Sequence, residues 1–134
     1  MALTKDRNTK RRDGKQFNDP MAATTRIFAG GLVCLNAAGY AVPGSVSTTL
    51  KARGIAQEQV DNLSGAAGAA RIESRRGMYP LANSAAADEI TRADIGANAY
   101  IVDDQTVAKT NGTNTRSVAG VIRDVDSDGV WIEI

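Results

Sequence analysis

Histidine is absent from the 134 residues. With it go the most frequent general base, the commonest zinc ligand and both the Ser/His and Cys/His nucleophile pairs. Cysteine occurs once, at Cys34, so no internal disulfide can form. Its setting, Gly31-Leu32-Val33-Cys34-Leu35, reads as a place for a small buried hydrophobe rather than a reactive thiol. Aromatic residues are only 4% of the chain and are scattered along it, which leaves no platform for stacking bases. No apolar run approaches the ~18 residues of a membrane span. The first residues, Met-Ala-Leu-Thr-Lys-Asp-Arg, lead into charge and not into an apolar stretch, so no secretory signal is expected. An excess of one charge is missing too: 16 basic residues face 15 acidic ones, and a global field drawing the molecule to nucleic acid or an anionic membrane is excluded.

What is present divides the chain near residue 25. Residues 1–20 carry Lys5, Arg7, Lys10, Arg11, Arg12 and Lys15 against Asp6, Asp13 and Asp19, with only Met1, Ala2, Leu3 and Phe17 apolar. Such a segment has nothing to build a core from, so residues 1–25 are expected to form an extended basic arm. Residues 26–134 hold nearly all the apolar material and are expected to form a single β domain. Ten Val and nine Ile outnumber six Leu in the chain, and stiff β-branched side chains favour the pleated sheet. With 22 Ala among the apolar residues, the core is expected to be modest.

The expected fold class is all-β, a jelly-roll-like sandwich or small β-barrel. Strands are predicted over 26–35, 40–42, 49–59, 69–75, 77–82, 99–102, 106–109, 118–124 and 130–134. Turn chemistry separates them: Asn36-Ala-Ala-Gly39, Pro43-Gly44, Asp61-Asn62, Asp103-Asp104-Gln105, Asn111-Gly112 and Asp128-Gly129. The best helical segment, 85–95, is expected to give a turn or two, because Ile90 and Ile95 do not complete an apolar stripe.

Several motifs invite a chemical reading. Asp124-Val-Asp-Ser-Asp128-Gly129 matches the start of a calcium loop, but the bidentate acid at its twelfth position is missing and flanking helices are not expected. A hairpin turn with Gly at positive φ is the expected role. The Asp103-Asp104 pair is expected at a surface turn, since neighbours in extended chain point apart. Asn62-Leu-Ser64 and Asn111-Gly-Thr113 fit a glycosylation pattern but read as loops. Arg75-Arg76 could grip a phosphate or a carboxylate on a partner, or simply end a strand in solvent.

The body also carries longer strings: Leu50-Lys-Ala-Arg-Gly54, Asp88-Glu-Ile-Thr-Arg-Ala-Asp-Ile-Gly96, Tyr100-Ile-Val-Asp-Asp-Gln-Thr-Val-Ala-Lys-Thr110 and Thr115 through Val-Ile-Arg-Asp-Val-Asp-Ser-Asp-Gly-Val-Trp-Ile-Glu-Ile134. In these the chain resembles small head proteins of tailed phages and prophages, and among them the capsid cement, or decoration, proteins. The resemblance spans about residues 26–134 and leaves out the arm. It implies a non-enzymatic β-barrel or jelly-roll protein, with no cofactor or metal, made in the bacterial host cytoplasm. There it would sit on the outer surface of the virion, bridging major capsid protein subunits.

On that reading the capsid-contact candidates are Lys5, Arg7, Lys10, Arg11, Arg12, Lys15, Arg75 and Arg76. A homo-oligomer is expected, a dimer first and a trimer second. Its candidate contacts are Val130, Trp131, Ile132 and Ile134, on a C-terminal strand read as an open edge. Direct contact with nucleic acid or membrane is not expected. The rival reading, a nucleic-acid-binding β-barrel, would turn the arm onto phosphates and predicts binding that collapses as salt rises.

Overall fold

The computed structural model describes all 134 residues, and it is all-β. Twelve strands are formed: β1 (Gln16–Pro20), β2 (Thr25–Ile27), β3 (Leu32–Leu35), β4 (Ala41–Pro43), β5 (Lys51–Ala56), β6 (Val60–Asn62), β7 (Arg71–Arg75), β8 (Met78–Asn83), β9 (Asn98–Ile101), β10 (Thr106–Ala108), β11 (Val118–Asp126) and β12 (Gly129–Glu133). β8 to β12 close a five-stranded barrel in the order β10-β8-β12-β11-β9, beside a five-stranded sheet in the order β1-β7-β5-β3-β4. β2 and β6 pair separately. The barrel branch of the sequence expectation is therefore the one that the chain adopts.

The strand β3 joins the two halves. All four residues of Leu32-Val33-Cys34-Leu35 are apolar because the strand is covered on both faces. Leu32 and Cys34 pack into the barrel cluster with Ile101, Val107, Ile122, Val130 and Ile132. Val33 belongs to a second cluster with Met21, Ile27, Ala41, Ala56 and Ile72, and Leu35 packs against it. The thin apolar inventory thus serves two small cores that share a strand. Cys34 is fully buried and unpaired, as its apolar neighbours suggested, and burial pushes its thiol up to about 12.

The predicted helical segment gives two 3-10 turns, Ala86–Asp88 and Arg92–Asp94. Between them Ile90, 1% exposed, plugs into the barrel cluster. The Asn83 side chain brackets it, accepting from the Ile90 N–H at 2.9 Å and donating to its carbonyl at 2.8 Å. Three ion pairs tie this segment down: Arg116–Asp88 at 3.1 Å, Lys109–Asp94 at 3.5 Å and Arg92–Asp124 at 2.7 Å. All three carboxyls are held below their ordinary range. A hydrogen bond from Thr110 leads at Asp88, the Thr91 N–H at Asp94, and the Arg92 guanidinium at Asp124.

The arm boundary needs correcting. Residues 1–15 contain neither strand nor helix, but β1 starts at Gln16 and pairs antiparallel with β7 from Gln16↔Arg75 to Pro20↔Arg71. Met21 is completely buried. The division therefore lies near residue 15 and not at 25. Strand 26–35 is also two strands, broken at Gly30-Gly31.

The outward backbone of β1 is partly blocked toward its C-terminal end. Met21 donates its N–H toward β7's side, to the Ala70 carbonyl, so by alternation Gln16, Asn18 and Pro20 face away from β7. Pro20 has no N–H to offer, and the Asn18 carbonyl accepts from the Arg71 guanidinium at 2.6 Å. The opposite edge, β4, ends in Pro43 and bridges back to Met21 through Ala41.

Candidate partner-binding groove

The chain crosses from the open sheet to the barrel between β7 and β8, and the dibasic pair Arg75-Arg76 occupies this crossing. Gly54 on β5 allows it: a Cβ there would lie 2.6 Å from the Arg75 carbonyl oxygen. β5 also carries a bulge opposite Val33 and Cys34, which frees Arg53 to reach over β7. Its guanidinium donates to both carboxylate oxygens of Asp19 at 2.8 and 3.0 Å and lies 3.6 Å from the Phe17 ring centre. This clamp fixes β1 against the sheet. Arg76 then donates its N–H to the Lys15 carbonyl at 2.9 Å, which brings the last residue of the unstructured segment beside the dibasic pair.

The result is a groove of about 440 Å³ lined by Lys15, Arg75, Arg76, Gly77, Met78, Tyr79, Glu133 and Ile134. A recess of about 170 Å³ adjoins it and shares Arg76 and Ile134, with Phe17, Ala52 and Arg53 as its other lining. Six of the 16 cations sit within 4.0 Å of a carboxylate: Arg26, Arg53, Arg92, Lys109, Arg116 and Arg123. Of the ten others, Lys51 and Arg71 lie elsewhere. The remaining eight are Lys5, Arg7, Lys10, Arg11, Arg12, Lys15, Arg75 and Arg76. Three of the eight line the groove. The other five precede Lys15 in a fully exposed stretch, and at ~3.6 Å per residue Arg12 lies within about 11 Å of Lys15. Two separate sequence signals, the basic segment and the dibasic pair, thus meet at one place.

The self-association candidates are not brought together, and this is a correction. β12 is no open edge, because it pairs with β11 on one side and β8 on the other. Val130 and Ile132 point into the barrel with no exposed surface. Trp131 faces outward, half-buried, and donates its indole N–H to Asp126 Oδ2 at 2.9 Å. Ile134 is half-buried and lines the groove. Alternation along the strand separates what the linear sequence had grouped.

Asp124 to Asp126 end β11, and Asp126 to Gly129 makes the β11–β12 hairpin turn, with Gly129 at φ +131. Its acids have other work: Asp124 holds Arg92, and Asp126 accepts from the Asp128 N–H and from Trp131. No group of three potential ligand side chains is placed to hold a metal ion. On the apolar flank of the groove, Ile134 is a sequence candidate, though for self-association, whereas Met78 and Tyr79 are not candidates at all. Met78 and Tyr79 were read only as strand residues, and nothing in their spacing marks them as facing Arg76.

No family model, curated protein or solved structure matches the chain.

Proposed function

We propose that the protein is a non-catalytic structural component of a tailed-phage type head, a decoration protein that binds the outer surface of the shell and bridges major capsid protein subunits. The observation that carries this reading is the concentration of eight of the ten unpaired cations in the leading segment and the groove at its root. A body whose other cations are mostly held in internal pairs presents one cationic contact region to a partner. The resemblance of residues 26–134 to cement proteins, read from the sequence strings, points to the major capsid protein as that partner. Two small cores sharing a strand also suit a protein that gains stability from the surface that it binds.

Self-association, a dimer first and a trimer second, belongs to the proposal. Its interface must use surfaces other than Val130 and Ile132, and sedimentation of the free protein checks it. The main test mixes purified protein with heads assembled without it. Co-sedimentation, with release of packaged DNA shifted to higher temperature, is expected. Heads equally stable with and without bound protein overturn the reading. Retention on duplex DNA, lost steeply with salt and with no binding to heads, would instead assign the same cations to phosphates.

A further inference from the structure

The groove between β7 and β8 combines two kinds of lining that seldom serve one purpose alone. Lys15, Arg75 and Arg76 have no carboxylate within 4.0 Å. Beside them Met78 is 54% exposed, although it lies in a strand of the barrel, and Tyr79 and Ile134 are half-buried. Cations that only confer solubility need no apolar floor, and a purely apolar contact would leave three charges unmatched.

We infer that the groove takes an extended acidic segment of a partner protein, one bearing both carboxylate and aliphatic side chains. Its carboxylates pair with Arg75, Arg76 and Lys15, where the planar guanidinium fork fits a carboxylate with two parallel hydrogen bonds. Its aliphatic side chains cover Met78, Tyr79 and Ile134. A nucleic acid is the poorer fit: Glu133 lines the same groove, held by Arg123 at 2.6 Å, and an unbroken row of phosphates would run past that fixed negative charge. A peptide can place an aliphatic residue there. Naming the shell protein as the source of the segment rests on the decoration reading, whereas the chemistry of the groove does not.

The test uses the full chain, isotopically labelled, titrated at low salt with three probes: a blocked ten-residue peptide alternating Glu and Leu, the same peptide with Gln for Glu, and a short DNA duplex. The Glu/Leu peptide is expected to give saturable NMR shifts centred on Lys15, Arg75 to Tyr79 and Ile134. Affinity should fall at least tenfold with the Gln peptide and in the Arg75→Ala/Arg76→Ala variant, and at least threefold in Met78→Ala. Arg26→Ala, whose ion pair with Asp61 lies elsewhere, should bind as the parent does. Absence of saturable shifts at the groove, equal binding of the Gln peptide, or stronger groove shifts from DNA overturns the inference. Heads separate the two readings. If Arg75→Ala/Arg76→Ala loses the peptide but binds heads normally, the shell is not the source of the segment. A parent chain that binds the peptide but not heads supports the groove and overturns the decoration reading.

Discussion

Arg53 holds together more of the contact region than any other side chain. It joins β5 to Asp19 and Phe17 on β1, two strands away in the sheet, and so determines where Lys15 meets Arg76. Asp19 is 9% exposed, and without its cation a carboxylate would be stranded in a poorly hydrated place. Arg53→Ala is expected to cost about 2 kcal/mol or more in urea unfolding, somewhat less than the ~3–5 kcal/mol of a fully buried pair, and to weaken binding at the groove. Asp88, Asp94 and Asp124 set the response to acid. Their carboxyls titrate below the ordinary 3.8 in the folded chain, so the unfolded chain takes up protons first as pH falls. Their contribution is complete above about pH 5 and is lost as pH drops through 3.8 and below. Urea midpoints should be flat from pH 7 to 5 and fall between pH 4 and 3, with a smaller fall in Asp88→Asn. Cys34, pushed up to about 12 by burial, should resist thiol reagents at pH 8 until denaturant is added. Rapid labelling of the folded protein would contradict its place in the core.

At the scale of elements, β1 separates two truncations that the composition treats alike. Removing residues 1–14 takes away only exposed chain without strand or helix, and the melting temperature should be unchanged. Removing residues 1–20 strips β1 from β7 and leaves Arg53 without Asp19, and the midpoint should drop sharply. Circular dichroism melts of the two truncated chains decide it. The same strand shows why part of the fold was hidden. β8, β9, β10, β11 and β12 were legible because branched aliphatics mark their inward positions. In β1 the inward residue is Asp19 and in β6 it is Asn62, whose amide donates to the Ala22 and Ala66 carbonyls. A strand whose buried position is a polar group leaves no mark in hydrophobic periodicity. The groove was half legible for a related reason. Charges announce themselves in a sequence, and so Arg75, Arg76 and Lys15 were named. Their convergence depends on β1–β7 register and on the close pass at Gly54, which no local pattern encodes.

For the whole molecule, the interrupted margins of the open sheet bear on how copies behave when crowded. Proline at both outer strands, the Arg71 guanidinium on the Asn18 carbonyl and the bridge from Met21 to Ala41 shorten the run of main-chain groups that a neighbour's strand could pair with. The closed barrel contributes no complete free margin either. Copies brought close together can touch through side chains, but a continuous ladder along these margins is hindered, so their association is expected to saturate instead of growing without limit. Replacing Pro20 with Val and Arg71 with Ala together restores an amide donor and uncovers a carbonyl on the same margin. That variant should form thioflavin-positive, seedable fibrils on concentration, while the parent stays clear. Two side chains outside the groove would then mark the difference between association that stops and a polymer that does not stop.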